Sequence, residues 1–182
     1  MINHPIIRAG HPVLRQIAKP VEDPTAPEIA QLVEIMERRM AEAGGVGLAA
    51  PQIAVSKRVV LFFVPDRRLS GLDGDYPLPL TALINPVIEK LGDETDVDWE
   101  GCLSLPGLRG LVPRHTHIRY TGYTPQGEFI DRQVSGFHAR VVQHEFDHLD
   151  GVLYPGRIID LLSLGFTEEI AARMEEEALG DE

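Results

Sequence analysis

The chain has 182 residues, 43% of them hydrophobic and 25% charged, a balance that suits one globular domain and excludes a disordered or fibrous protein. Its formal net charge of −11 disfavours broad binding to DNA or to anionic membranes, and no apolar run reaches membrane-spanning length. Cys102 is the only cysteine, so an internal disulfide is excluded and a reducing compartment is expected. The start, MINHPIIRAGHPVLRQ, has neither a secretory apolar core nor a Ser-rich transit pattern. A cytoplasmic, bacterial-type protein is expected, and a processed organellar one would read the same.

In chain order, the first predicted element is a helix over 25–43. Thr25 and Glu28 have capping-box spacing, and Ile29, Leu32, Val33, Met36 and Met40 follow the helical period until Gly44-Gly45 stops it. From Arg58 to Val64 the run VVLFFV suits a buried strand, and Leu83 to Pro86 reads as a strand ending at the proline. His117 to Tyr123 and Glu128 to Val134 flank Thr124-Pro125-Gln126-Gly127 as a hairpin. A second strong helix runs from about Ser135 to Asp150-Gly151. Phe137, Val141, His144 and His148 share one stripe of it, while Val142, Phe146 and Leu149 cover another side, so it is expected to be buried. A third helix, at about 167–179, is acidic. Helices and short strands without regular βαβ order predict an α+β fold, with largely antiparallel strands around a buried central helix.

That central helix carries His144-Glu145-Phe146-Asp147-His148. A four-residue spacing puts both imidazoles on one face, where they can share a cation while Glu145 works on a water beside it. Two ordinary core histidines would give the same letters. A catalytic site also needs a third ligand. No histidine follows His148, and Glu168 and Glu169 start an exposed acidic stretch. Upstream, EGCLSLPG places Cys102 in a constrained turn or strand edge. Alone it reads as a small buried residue; beside the two histidines it reads as a soft ligand suited to Fe(II) or Zn(II). GVGLAAPQ, from Gly45 to Gln52, combines glycines that admit a close substrate backbone with an amide donor.

Together, Gly45 to Gln52, Glu100 to Ser104 and Gln143 to Gly151 resemble, in order, the three motifs of the peptide deformylase family, and the likeness covers about residues 6–158. The resemblance implies that Cys102, His144 and His148 hold one metal ion, Fe2+ in the working enzyme, with Zn2+ or Ni2+ in purified protein as alternatives. It implies that Glu145 is the general base and acid, and that Gln52 and the Leu103 N–H polarise a formyl oxygen. Gly45, Val46, Gly47, Arg109, Phe137 and Val141 fall on the substrate side, with Val46, Phe137 and Val141 around a methionine side chain. Glu100, also placed by the cleft, is expected to pair with Arg114, and Asp147 to support the site. Arg140 falls at a pocket-side position where other members carry an aliphatic residue, and Ala54 stands where many carry glycine. The implied reaction is hydrolysis of the formamide on N-formylmethionyl nascent peptides, releasing formate. A transient ribosome encounter and a monomer or homodimer are implied too, although the acidic tail differs from the basic docking helix of some bacterial members. The alternatives are a metalloprotease-like hydrolase and a binding module with a structural metal; Glu145 and Gln52 speak against the latter, which needs neither.

Overall fold

The computed structural model describes residues 4–180; the leader expectation rests in part on Met1 to Asn3, which lie outside the described residues. Helix α1 spans Pro27–Ala43 and ends on Gly44, whose left-handed backbone (φ 66°) closes the helix. The capping box expected at Thr25 does not form. Thr25 instead gives its N–H and hydroxyl to Asp23 Oδ1, at 2.8 and 2.7 Å. Pro27 is the reason: the residue before a proline is pushed out of the helical region, and Ala26 is extended (ψ 138°), so the helix starts after it.

A five-stranded antiparallel sheet follows, ordered β1-β2-β3-β6-β7, from strands Gly47–Ala49 (β1), Val59–Val64 (β2), Leu78–Lys90 (β3), His117–Tyr123 (β6) and Phe129–Ser135 (β7). The strand expected to end at Pro86 continues to Lys90. The β3–β6 register shifts between Ile84 and Val87, so the missing proline N–H falls in a bulge where no ladder bond is needed. Asn85, at φ 50°, turns its amide outward to hold Val21 N–H and C=O, at 2.8 and 2.7 Å. A second, three-stranded sheet joins Thr95–Cys102 (β4), Leu105–His115 (β5) and the short Gly165–Phe166 (β8). It has no counterpart in the sequence reading.

Helix α2, Gly136–Leu149, runs directly out of β7 and is buried along nearly its whole length. Val142, Phe146 and Leu149 pack into a core with Val60, Phe62, Ile118 and Tyr120, while α1 closes a second core with Leu48, Leu61 and Ile84. Asp75 caps the start of α2 by accepting from the N–H groups of Phe137 and His138, both at 3.2 Å. The expected third helix is present as α3, Thr167–Gly180, with Glu168 and Glu169 in its first turn. Among the described residues no helix is long and apolar enough to cross a membrane.

Candidate metal centre

His144 and His148 lie one turn apart on α2, with ring centroids 5.1 Å apart. Cys102 ends β4, and the turn Leu103-Ser104 leads straight into β5, so the thiol is delivered by a hairpin tip. Cys102 Sγ is 3.3 Å from His148 Nε2, and one ligand atom from each of the three residues lies within 4.8 Å of the others. Ligands around a tetrahedral ion at the usual bond lengths sit roughly 3.5 Å from one another, so small side-chain adjustments bring this set onto one divalent cation. Glu100 Oε2 lies 2.8 Å from His144 Nδ1. An ionised carboxylate only accepts, so Nδ1 carries the proton and Nε2 is left for the ion.

Glu100 explains why this geometry holds. Oε1 accepts from Arg114 Nε at 2.8 Å and from Arg140 Nη1 at 3.1 Å. Oε2 accepts from Arg114 Nη2 at 2.9 Å as well as from His144. Burial alone would raise this carboxyl; the bonds from Arg114 and His144 outweigh it and hold Glu100 well below the ordinary carboxylate range. Arg114 also gives Nη1 to Asp147 Oδ2 at 2.7 Å, and Asp147 takes two further bonds from Arg157, at 3.1 and 2.7 Å. The expected Glu100–Arg114 pair is therefore present. The roles of Arg140 and Arg157 were not anticipated, because no spacing rule joins residues brought together only by the second sheet.

Glu145 points to the same place from the next position on α2. Its Oε2 is buried and has no hydrogen-bond partner, and burial pushes its carboxyl up to about 7. Gly47 lies flat against it: a Cβ there would overlap Glu145 Oε1, so any larger residue would displace that carboxylate. Gly45 makes similar room for the Leu103 side chain. Gln52, in a short 3₁₀ turn, accepts the Ala49 N–H on Oε1 at 2.8 Å. That fixes its amide, so Nε2 faces Cys102 Sγ at 3.4 Å and Ser104 Oγ at 3.3 Å. The N-terminal segment straps both halves together, with Ile7 N–H on Gln52 C=O and Ala9 N–H on Ser104 C=O, each at 2.8 Å.

These groups open into a cleft of about 660 Å³. Gly45, Val46 and Gly47 form one side, and Phe137 and Val141 reach in from α2. Gln52, Leu103, Arg109 and the pocket-side Arg140 line it as well, together with Trp99 and Arg68, which sequence reasoning did not place there. His148 sits behind Cys102, almost fully buried. The family model for polypeptide deformylase matches residues 3–162.

The chain belongs to that family.

Peptide deformylase 1 of Bordetella pertussis is 53% identical over 177 residues, covering 96% of this chain and 98% of that protein. Peptide deformylase 2 of Ralstonia nicotianae is 52% identical, over 90% of this chain and 92% of its own. Among solved deformylases, that of Thermotoga maritima superposes with a TM-score of 0.77 at 36% identity, covering 88% of this chain and all of the other. A Met-Ala-Ser-bound class I type b deformylase from Acinetobacter baumannii gives the same TM-score at 36% identity, over 86% and 99% of the two chains. The mixed helices and antiparallel sheets expected from the sequence are thus those of the deformylase fold.

Proposed function

We propose that this chain removes the N-formyl group from the N-terminal formylmethionine of newly made polypeptides by hydrolysis. It is a metal-dependent hydrolase, as its family and the Cys102, His144 and His148 cluster support. The observation that carries the mechanism is the convergence of an unpartnered, buried Glu145 carboxyl and a fixed Gln52 amide on that cluster.

Cys102, His144 and His148 would hold the ion, and one thiolate with two imidazoles suits Fe(II), our choice for the working metal, with Zn(II) or Ni(II) in purified protein. When bound, the ion supplies Lewis acidity, so that water becomes a nucleophile at neutral pH. Glu145 takes the proton of the attacking water on its free oxygen; with a carboxyl near 7 it can both accept and return a proton. The new C–O bond forms at the formyl carbon, and charge grows on the formyl oxygen. Gln52 Nε2 and the Leu103 N–H donate to that oxygen. The Gln52 contact to Ser104 Oγ at 3.3 Å is long for a hydrogen bond, and the one to Cys102 Sγ at 3.4 Å is made to a weak acceptor, so both are readily exchanged for it. Glu145 then passes the proton to the leaving nitrogen, the C–N bond breaks, and formate and a free amine remain. Gly45 and Gly47 let the peptide backbone approach closely, Val46, Phe137 and Val141 hold the methionine side chain, and Arg109 borders the peptide path. With every acceptor site filled, Glu100 positions His144 rather than touching substrate.

The Met-Ala-Ser peptide bound to the Acinetobacter relative has the sequence a deformylated product would have, which supports this choice of substrate. We place the enzyme in the bacterial cytoplasm as one catalytic domain, monomeric or homodimeric, meeting nascent chains in transient contact with the ribosome but not through acidic α3. The test is formate release from formyl-Met-Ala-Ser and acetyl-Met-Ala-Ser, with metal analysis of anaerobically purified protein. Only the formyl peptide is expected to turn over, because an acetyl methyl would displace packed backbone at Gly47 or move the carbonyl off its donors. Comparable rates on both, or none on either, would refute the reading.

A further inference from the structure

Next to the cleft lies a second cavity, of about 170 Å³, and three residues line both spaces: Arg68, Phe137 and Arg140. Phe137, Arg140, Val141 and His144 are spaced so that they share one face of α2, so the wall between the spaces and the metal-facing histidine belong to one rigid element. Arg68 reinforces that wall by lying over the Phe137 ring, with Cζ 4.3 Å from its centroid.

The guanidinium of Arg140 sits across the boundary. Nη1 donates to Glu100 Oε1 at 3.1 Å and to Val112 C=O at 2.8 Å. Nη2 donates to Asp96 C=O at 2.9 Å and lies 3.4 Å from Asp96 Oδ2. Glu100 lines only the main cleft and Asp96 only the second cavity, so the planar group spans from one space to the other. Its side chain is 6% exposed. A flexible arginine at a pocket wall could swing aside; this one is held by bonds at both ends.

We infer that Arg140 is the partition that sets the depth of the substrate's first side-chain pocket, and that the second cavity is the unused continuation of that pocket. The inference rests on the proposed function for what enters the pocket. Met-length side chains stop at the Arg140–Phe137 wall, whereas longer unbranched chains collide with it. Truncating Arg140 to alanine removes the guanidinium and joins the two spaces; methionine at the same position refills much of the volume but loses the ion pairs.

The test compares the metal-loaded wild type, R140A, R140M and F137L on formyl-X-Ala-Ser, where X is methionine or an analogue with an unbranched hexyl side chain. Because one methylene in an apolar pocket is worth about 10–200-fold, the hexyl-to-methionine ratio of kcat/KM should rise about tenfold or more in R140A and stay near the wild-type value in R140M. F137L shortens the same wall without removing any bond to Glu100, and should raise the ratio even if R140A fails to fold. An unchanged ratio in folded R140A or in F137L overturns the inference. So does an equal rise in R140M, which would trace the effect to lost ion pairs. Failure of the wild type on the methionine peptide would refute the functional reading instead. The depth of the pocket would still be decided by the binding ratio of Met-Ala-Ser to its hexyl counterpart across the same variants.

Discussion

Replacing Arg114 by methionine tests whether the Glu100 cluster, rather than the ligands alone, holds the metal site in shape. The change removes three charge-assisted bonds, at 2.8 and 2.9 Å to Glu100 and 2.7 Å to Asp147, from groups that are almost fully buried. Breaking a buried ion pair from one side costs about 3–5 kcal/mol. Glu100 keeps Arg140 and His144, and Asp147 keeps Arg157, so the lower end applies, about 3 kcal/mol. For a chain of this size that lowers Tm by about 10 °C. E100Q should cost a similar amount, and the double variant should cost about 2 kcal/mol less than the sum, since the two residues share one interaction. Urea unfolding of metal-loaded protein, read with the rate of metal loss to a chelator, measures both effects. The sign with pH follows from Glu100. Its folded pKa is depressed, so its stabilisation is present above the ordinary carboxylate range and is lost as pH falls through and below it; R114M should flatten that loss. A coupling within about 0.5 kcal/mol of zero, with metal retention unchanged, would refute the bracing argument.

E145Q should keep the fold and the metal and lose about 10²–10⁴ in kcat, since it removes the proton carrier but no ligand; stoichiometric metal loss would instead make Glu145 a ligand. G47A should leave secondary structure intact while displacing the Glu145 carboxylate, so activity falls by at least about 10² with little change in melting; near-wild-type kcat would show that Glu145 does not need that surface. His138 is buried among Tyr120, Tyr76 and Phe62, with Asp75 at the helix start and Arg132 on β7, and burial first, then Arg132, pushes its pKa down to about 4 from 6.5. The unfolded chain takes up a proton that the folded one refuses, so stability is flat above about pH 6.5 and falls towards pH 4 by up to about 3 kcal/mol. H138F should remove that slope, and identical urea midpoint-versus-pH curves for the two proteins would count against it.

The legible parts of the fold were those in which one residue pattern determined one element. His144 and His148 announced themselves because a helix converts a four-residue spacing into a shared face, and Gly44 because few other residues accept its backbone angles. Thr25 misled because its local spacing was right while Pro27 overrode it. The second sheet was hidden because β5 carries Pro106, Gly107, Gly110 and Pro113, which break strand periodicity, and because β4 is largely exposed and acidic. Without that sheet, nothing in the sequence could bring Arg140 or Arg157 to Glu100 and Asp147. Their meeting is a product of tertiary pairing between β4, β5 and α2.

The strap at Ile7 and Ala9 bears on how the molecule comes into being. A chain leaves the ribosome N-terminus first, yet the carbonyls that will receive these two N–H groups belong to Gln52 and Ser104, which are synthesised much later. The Ile7–Ala9 strap therefore cannot close on both carbonyls until the hairpin carrying Cys102 exists. Such long sequence separation makes for slow closure.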